Sequence, residues 1–288
     1  MNSVNKTLYI PLYGKAYVSR KGILLQDPKA EEIWKREGFA LKGKSRSKWL
    51  AYYMGMRAAV FDDWLARQMA AAPEAVILHL GCGLDNRCGR VGTGEHKWYD
   101  IDFPEVIAER RRWFAQTQHH QMLGADLRSP RWLDLIPGDS AIVVMEGVSM
   151  YLEPQELKKL LEGLAARFKR VQLLMDCYTE LAAKASRLRN PINDVGVTHV
   201  YGLDDPRLLE SDAWRFCAEH AMTPDRLVNA LEGLEKRIFR TLYAGSFARK
   251  LYRLYAYCGS QPDLLCSRKN QTAIAGRKNE AILDREKV

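Results

Sequence analysis

Apolar residues recur along the chain in two alternating patterns. Short apolar runs that end in glycine or an acid predict buried strands, and longer segments of helical periodicity lie between most of them. The runs predict seven strands, at residues 76–80, 97–101, 121–124, 141–145, 171–175, 214–219 and 251–258. The periodic segments predict helices over residues 28–37, 50–72, 104–116, 154–168 and 223–237. This alternation predicts an α/β fold, with a mostly parallel sheet covered by helices on both faces.

The chain divides into three parts. Pro73 ends the long helix predicted over residues 50–72, because proline cannot continue a helix from within. We therefore separate an N-terminal segment with helices (1–72) from a core (73–266). A polar tail follows at 267–288. The last predicted strand is rich in Leu and Tyr, and we expect it to be antiparallel.

Net charge is the property of the composition that bears most on partners. The formal charge of +9 permits an anionic small molecule or a nucleic acid as ligand. The basic residues are spread along the chain, however, which is typical of a solvated surface. No apolar run approaches the ~18 residues needed to cross a bilayer, and the N-terminus lacks a long apolar leader. We expect a cytoplasmic protein with no membrane partner.

The cysteines show no pattern of metal ligands or disulfide partners. They lie at Cys82, Cys88, Cys177, Cys217, Cys258 and Cys266, without a CxxC pair or zinc-ligand spacing. In a chain that is not secreted, we expect buried or free thiols rather than a disulfide framework. No metal site is predicted.

A glycine turn follows the first predicted strand. Gly81 and Gly83 flank Cys82 at the point where ligands bind in open α/β sheets. Asp102 lies 21 residues after Gly81, at the end of the next strand, where an acid grips the two hydroxyls of a ribose. Asp100 has the same parity in that strand, but we expect it to be a solvated acid at the strand end.

Glycine or acid also closes the third and fourth predicted strands, at Gly124–Leu127 and at Glu146–Gly147. Since the carboxyl ends of parallel strands meet at one edge of the sheet, these positions predict a single crevice. A dinucleotide site is the rival interpretation, and its fingerprint needs a third glycine three residues after the second. Asn86 stands at that position, which disfavours a nicotinamide enzyme.

The assembled pattern resembles the leucine carboxyl methyltransferase family and, within it, the bacterial branch similar to tetracenomycin-type polyketide O-methyltransferases. The segments that carry the resemblance are MRAAVFDDWL (56–65), LGCGLDNRCGR (80–90), WYDIDFPEVIAERRR (98–112), GADL (124–127), MEGVSMYL (145–152) and GLDDPRLLE (202–210). It spans residues 9–210, while the C-terminal third matches only loosely. Asn86 replaces the family's usual threonine, and Cys88 replaces an aromatic residue.

The resemblance implies a Rossmann-like sheet of seven strands, an N-terminal helical lid, and S-adenosylmethionine (SAM) as the cofactor. It also implies a role for each matching residue. Arg57 would bind the methionine carboxylate, Gly81 and Gly83 would face the cofactor, Asp102 would hold the ribose, Asp126 and Leu127 would frame the adenine, Glu146 would contact the ammonium region, and Tyr151 would stand beside the reacting centre.

The acceptor is expected to be a small molecule methylated on a carboxylate or a phenol. A carboxylate is ionised at neutral pH and needs no base, whereas a phenol needs one, for which His199 is the candidate. A carboxylate would favour a cationic clamp, for which Lys15, Arg20 and Lys21 are available. Alternatives are a protein C-terminal carboxylate, an RNA base, a nicotinamide-dependent oxidation, or a binding module without activity.

Overall fold

The computed structural model describes residues 8–37, 46–186 and 200–261, and it places all seven strands in one sheet. The strands are β1 (Val76–Leu80), β2 (Trp98–Asp102), β3 (His120–Gly124), β4 (Ser140–Met145), β5 (Arg170–Tyr178), β6 (Trp214–His220) and β7 (Tyr252–Ser260). Their order is β3-β2-β1-β4-β5-β7-β6. Strand β7 runs antiparallel to the other six. The predicted seven-stranded, mostly parallel sheet is confirmed.

Ten α-helices accompany these strands in the described ranges. They are α1 (Tyr9–Arg20), α2 (Pro28–Glu37), α3 (Lys48–Ala71), α4 (Arg87–Val91), α5 (Pro104–Arg110), α6 (Pro154–Arg167), α7 (Glu180–Ser186), α8 (Asp225–Val228), α9 (Gly233–Leu242) and α10 (Ser246–Arg249). None of these helices combines the length and apolarity that crossing a bilayer requires.

Every residue of β1 is buried, because the sheet has a core on each face. The successive residues Ile77 and Leu78 belong to different apolar clusters, as expected where neighbouring side chains point to opposite faces. Leu78 lies in the cluster that contains the apolar side of α6, and Ile77 lies in the cluster that contains the apolar side of α3. Strands buried on both faces explain why these runs lack a polar alternation.

Two predictions about local structure are wrong. The helix predicted over residues 223–237 is two helices, α8 and α9, with four non-helical residues between them; Gly233, with φ +52°, stands where the second helix begins, and a left-handed residue cannot lie inside one continuous right-handed helix. Cys217 and Cys258 form a disulfide between β6 and β7, against the expectation of unpaired thiols. Cys217 lies where the pairing register of these two strands shifts. That irregularity leaves no trace in cysteine spacing.

Helix α1, which the apolar pattern did not predict, packs tightly against α3. A Cβ atom on Gly14 would lie 2.6 Å from Cβ of Met54, and one on Gly55 would lie 2.8 Å from a methyl group of Val18. Such contacts are shorter than van der Waals packing permits, so the two backbones approach closely only because both positions are glycine. The pair α1 and α3 therefore forms a closely packed unit above the sheet edge.

Candidate active site

A cavity of about 520 Å³ opens at the carboxyl edge of the sheet, which is a usual size for a small-molecule site. It extends from the loop after β3 to the start of β7, with α1 and α3 contributing its upper wall. The sequence-predicted residues that line it are Arg57, Gly81, Gly83, Asp102, Asp126, Leu127, Glu146 and Tyr151. His199 lies outside the described residues. Neither Asn86 nor Cys88 lines the cavity.

The turn after β1 needs both of its glycines. Gly81 has φ +64° and Gly83 has φ +49°, a region that residues with a side chain rarely adopt. A Cβ atom on Gly81 would clash with Val148 at 2.2 Å. The turn consequently lies flat against the loop after β4 and leaves space for a ligand above it.

Asp102, the last residue of β2, presents a half-buried carboxylate to the cavity. One of its oxygens accepts a hydrogen bond from the Gly83 amide at 2.8 Å, and the other accepts from the Phe103 amide at 2.8 Å. Burial raises the pKa of Asp102 to about 6, although both amide hydrogen bonds act in the opposite direction. This carboxylate is therefore poorly solvated in the free protein, and hydroxyl groups of a ligand would stabilise its charge.

Asp100 is not a solvated acid, and that expectation is wrong. Its carboxylate is fully buried and accepts hydrogen bonds from Arg110 at 2.9 Å and from the Trp98 indole at 2.8 Å. Burial opposes its ionisation, but Arg110 and the two histidines His79 and His120 hold the pKa of Asp100 well below its usual range. Asp100 thus belongs to the core beneath the site.

His79 is buried in the apolar strand β1, and each of its ring nitrogens has a polar partner. Its Nδ1 atom is 3.1 Å from Asp100 and its Nε2 atom is 3.2 Å from an Arg87 nitrogen. Burial lowers the pKa of His79, so the ring is neutral at pH 7. Its contacts link Asp100 to the ionic cluster beside the cavity.

Arg57 and Glu146 meet at the cavity wall and share a third partner. The Arg57 Nε atom donates to Glu146 at 3.1 Å, and Nη1 donates to Asp176 at 2.8 Å. The second oxygen of Asp176 accepts from the Gly147 amide at 2.6 Å. Asp176 thereby fixes both the guanidinium and the loop after β4. Asp62, which lies five residues after Arg57 on α3, pairs with Arg87 and Arg90 and not with Arg57.

Asp176 was missed from the sequence although a signal for it existed. It directly follows the fifth apolar run, at residues 171–175. Asp102 and Glu146 hold the same position after the second and fourth runs, so the same pattern indicates Asp176. Its buried carboxylate has a raised pKa because of desolvation, which Arg57 partly offsets.

Glu146 is surrounded by three cations. Arg87 donates to its second oxygen, and the Lys15 ammonium lies 3.7 Å from its first oxygen and 3.4 Å from Asp85. Burial alone would raise the pKa of Glu146, but Lys15, Arg57 and Arg87 together lower it to about 2. Arg87 also contacts Asp85 at 3.3 Å.

The three cations considered for an acceptor clamp do not act together. Lys15 lines the cavity, but it lies among the acids of the Glu146 cluster. Arg20 donates to the Ala16 carbonyl, and Lys21 pairs with Glu235. Neither Arg20 nor Lys21 lines the cavity.

At the far end, Asp126 is paired with its neighbour Arg128. The Arg128 Nη2 atom donates to Asp126 at 2.6 Å, and the Arg128 amide donates to it at 3.0 Å. These hydrogen bonds lower the pKa of Asp126. Leu127 is buried beside it, so this end of the cavity combines an apolar surface with a polar rim.

Comparison with known proteins gives a consistent set of similarities. A model of the leucine carboxyl methyltransferase family matches residues 8–165. The tetracenomycin polyketide synthesis O-methyltransferase TcmP of Streptomyces glaucescens is 28% identical over 261 residues, which cover 88% of this chain and 97% of the relative. The SAM-dependent methyltransferase dpfgK of Gibberella zeae is 24% identical, over 73% of this chain and 79% of its own.

One solved structure that aligns with this chain is a magnesium protoporphyrin IX methyltransferase from Synechocystis PCC 6803 with bound S-adenosylhomocysteine (SAH). It is 12% identical to this chain and has a TM-score of 0.47. The alignment covers 80% of this chain and 94% of that one.

Proposed function

The chain belongs to the leucine carboxyl methyltransferase family, whose model matches more than half of it, and we propose that it methylates an oxygen of a small-molecule acceptor. It is a methyltransferase, and its cofactor is SAM. The acceptor oxygen belongs to a carboxylate or a phenol. The relative TcmP acts in polyketide synthesis, which supports a polyketide-like or other secondary metabolite as the acceptor over a protein C-terminus or RNA. A nicotinamide oxidoreductase is not supported.

The polar half of the cavity fits this cofactor. The single observation that carries the proposal is the half-buried Asp102 carboxylate, which faces the cavity beside the Gly83 turn with its pKa raised to about 6. A ribose diol would supply the hydrogen bonds that water supplies elsewhere. The ionic wall formed by Arg57 and Glu146 offers complementary charges to the carboxylate and ammonium groups of a methionine moiety.

We assign each residue the role that its match to the family implies. Gly81 and Gly83 would face the cofactor backbone, Asp126 and Leu127 would frame the adenine, and Tyr151 would stand beside the acceptor. His199 is the proposed base if that acceptor is a phenol. We further propose that residues 1–72 cover the site, that 73–266 form the core, that 267–288 form a polar tail, and that the protein acts in the cytoplasm.

The protein's own contribution is binding and orientation. When bound, SAM supplies a methyl group already activated by its sulfonium. The residues of this chain hold the acceptor oxygen in line with that group and limit the entry of water, an effect worth up to about 7–11 kcal/mol in favourable systems. Tyr151 and the apolar wall around it would fix the acceptor.

Transfer to oxygen is tested with one probe that carries both candidate groups. We expect the protein to move a labelled methyl group from SAM to 3-hydroxy-2-naphthoic acid. Alkaline hydrolysis then distinguishes an ester, formed on the carboxylate, from an ether, formed on the phenol. The matched control is 3-amino-2-naphthoic acid. Transfer to its nitrogen in preference to any oxygen would contradict O-methylation, and failure of SAM to bind would contradict the whole assignment.

SAM affinity should fall in mild acid. Burial raises the pKa of Asp102 to about 6, with the Gly83 and Phe103 amides and Arg110 opposing the shift and Glu105 adding to it. Only the ionised carboxylate accepts hydrogen bonds from both ribose hydroxyls, so protonation below pH 6 removes the binding form. We expect the SAM dissociation constant to rise about tenfold between pH 7 and pH 5, measured by calorimetry. Asp102→Asn should abolish this dependence, and a wild-type affinity that is flat over this range would exclude Asp102 as the ribose ligand.

A further inference from the structure

The cavity divides into two halves that follow the strand order. Strands lie about 4.8 Å apart, so β3 and β4, which are separated by β2 and β1, lie about 14 Å from each other. The residue roles proposed above extend SAM over this distance, from Leu127 after β3 to Glu146 after β4. The remaining half lies above the ends of β5 and β7, roughly another 10 Å along the edge. This half is the space left for the acceptor.

This second half is apolar and aromatic. We call it the acceptor chamber, and its defining residues are Leu50, Met54, Met150, Tyr178, Ala182 and Tyr252. These six side chains carry no charge. An aliphatic wall with thioethers and aromatic rings favours a flat, polarisable and uncharged ligand body. A charged body would lose its hydration there without finding an ion pair.

Two tyrosines provide a polar contact in the chamber. Tyr178 ends β5 and Tyr252 begins β7, and the two residues are partners in the antiparallel ladder. Their rings meet edge to face with centroids 4.6 Å apart. Cross-strand pairing therefore fixes both rings at the mouth of the β5–β7 edge.

Tyr252 also lies at the junction of the two halves. The charge of Arg57, which belongs to the ionic wall, lowers the pKa of its hydroxyl, and the charge of Asp176, the partner of Arg57, raises it. Burial is the largest reason why the pKa of Tyr252 is well above its ordinary value, and the neighbouring Tyr178 adds to the increase. The hydroxyl stays protonated, so it orients an oxygen and does not remove a proton.

We propose that the acceptor is a planar aromatic molecule with an uncharged ring body, and that Tyr252, held by Tyr178, hydrogen-bonds to its reacting oxygen. The inference rests on the proposed function, because it uses the place of SAM to define the remaining space. It adds the chemical class of the ring body and a pair of specificity-determining residues.

The test measures binding of 2-naphthol to the full chain in the presence of saturating SAH, by calorimetry. Decahydro-2-naphthol is the matched ligand, since it has the same ring skeleton and hydroxyl group without planarity. We expect it to bind at least about tenfold more weakly than 2-naphthol. We expect Tyr252→Phe to weaken 2-naphthol binding by about five- to tenfold, the effect of one lost hydrogen bond, with SAM affinity unchanged.

Tyr53→Phe is the matched control variant. The Tyr53 ring lies 5.7 Å from that of Tyr252, but its hydroxyl has no hydrogen-bond partner in the described structure and does not line the cavity. This variant should bind 2-naphthol and SAM as the wild type does. Leu50→Trp is a second variant that leaves the tyrosine pair intact and fills the chamber. It should lose 2-naphthol binding and retain SAM binding.

Two results would overturn the proposal. One is a wild-type protein that binds SAM normally and either ignores 2-naphthol or prefers its saturated analogue. The other is a folded Tyr252→Phe protein with unchanged 2-naphthol affinity, or with an equal loss of SAM affinity. Both leave the methyltransferase assignment intact, whereas a wild-type protein that fails to bind SAM would contradict that assignment instead.

Discussion

Asp102→Asn is expected to bind SAM at least tenfold more weakly than the wild type, while the free variant unfolds at no lower temperature. A carboxylate accepts a charge-assisted hydrogen bond, worth about 1.5–3 kcal/mol, from each hydroxyl of a ribose. The amide of asparagine has a single accepting oxygen and no charge. Calorimetric titration with SAM at pH 7 measures the loss.

The stability of the free variant follows from the sign of the pKa shift. Burial raises the pKa of Asp102 from 3.8 to about 6, so at pH 7 the folded protein carries a charge that destabilises it by about 3 kcal/mol. Asparagine removes this penalty and gives up one amide hydrogen bond, a loss of about 1–3 kcal/mol. The wild type should correspondingly gain stability from this group as the pH falls from 7 towards 4.

Glu105→Gln is the control for this variant. It removes a negative charge from the first turn of α5, near Asp102 but outside the cavity lining. SAM should bind to it as to the wild type. Equal affinity of Asp102→Asn and wild type for SAM would remove the ribose assignment, and a large loss of stability would assign Asp102 to the framework instead.

Arg57→Leu is expected to lower the free energy of unfolding by about 3–5 kcal/mol, the usual effect of removing one partner from a buried ion pair. In the described structure Arg57 is the cation paired with Asp176, and both side chains are almost wholly buried. Glu146 keeps Lys15 and Arg87, whereas among the described residues Asp176 keeps only the Gly147 amide. Thermal unfolding should report a decrease in Tm of about 10 °C.

A double variant and a surface control sharpen the second prediction. Arg57→Leu with Asp176→Asn removes both charges and should regain part of the lost stability. Arg226→Leu removes an exposed arginine paired with Asp63 and should cost less than about 1 kcal/mol. The folded fraction of Arg57→Leu should also bind SAM more weakly. Normal stability together with normal SAM affinity would exclude Arg57 from both the ion pair and the methionine site.

Sequence patterns predicted the sheet well because β1 and β4 are buried at every position and β5 at most positions, so these strands are nearly continuous apolar runs. They also predicted the residues at the strand ends, Gly81, Asp102 and Glu146, because parallel strands end at one edge of the sheet. Helix α1 escaped detection because its buried face includes Gly14 and Lys15, which are not apolar.

Other features depend on contacts that no local pattern records. The buried position of Asp100 is stabilised by Arg110, which lies on the following helix, α5, and pairs with it. The disulfide of Cys217 depends on an irregular register between two antiparallel strands. In each case the partner is chosen by tertiary packing and not by spacing along the chain.

Helix α3 carries three cavity-lining residues at Leu50, Met54 and Arg57, spaced four and three residues apart on one helical face. Two of them border the acceptor chamber and the third belongs to the cofactor wall. A single deletion within this stretch would rotate the residues beyond it by about 100° and separate the two sets. Substitutions at positions 50 and 54 leave the positions of these residues around the helix axis unchanged. Acceptor range can therefore diversify by point mutation on α3, while changes in its length are expected to be selected against.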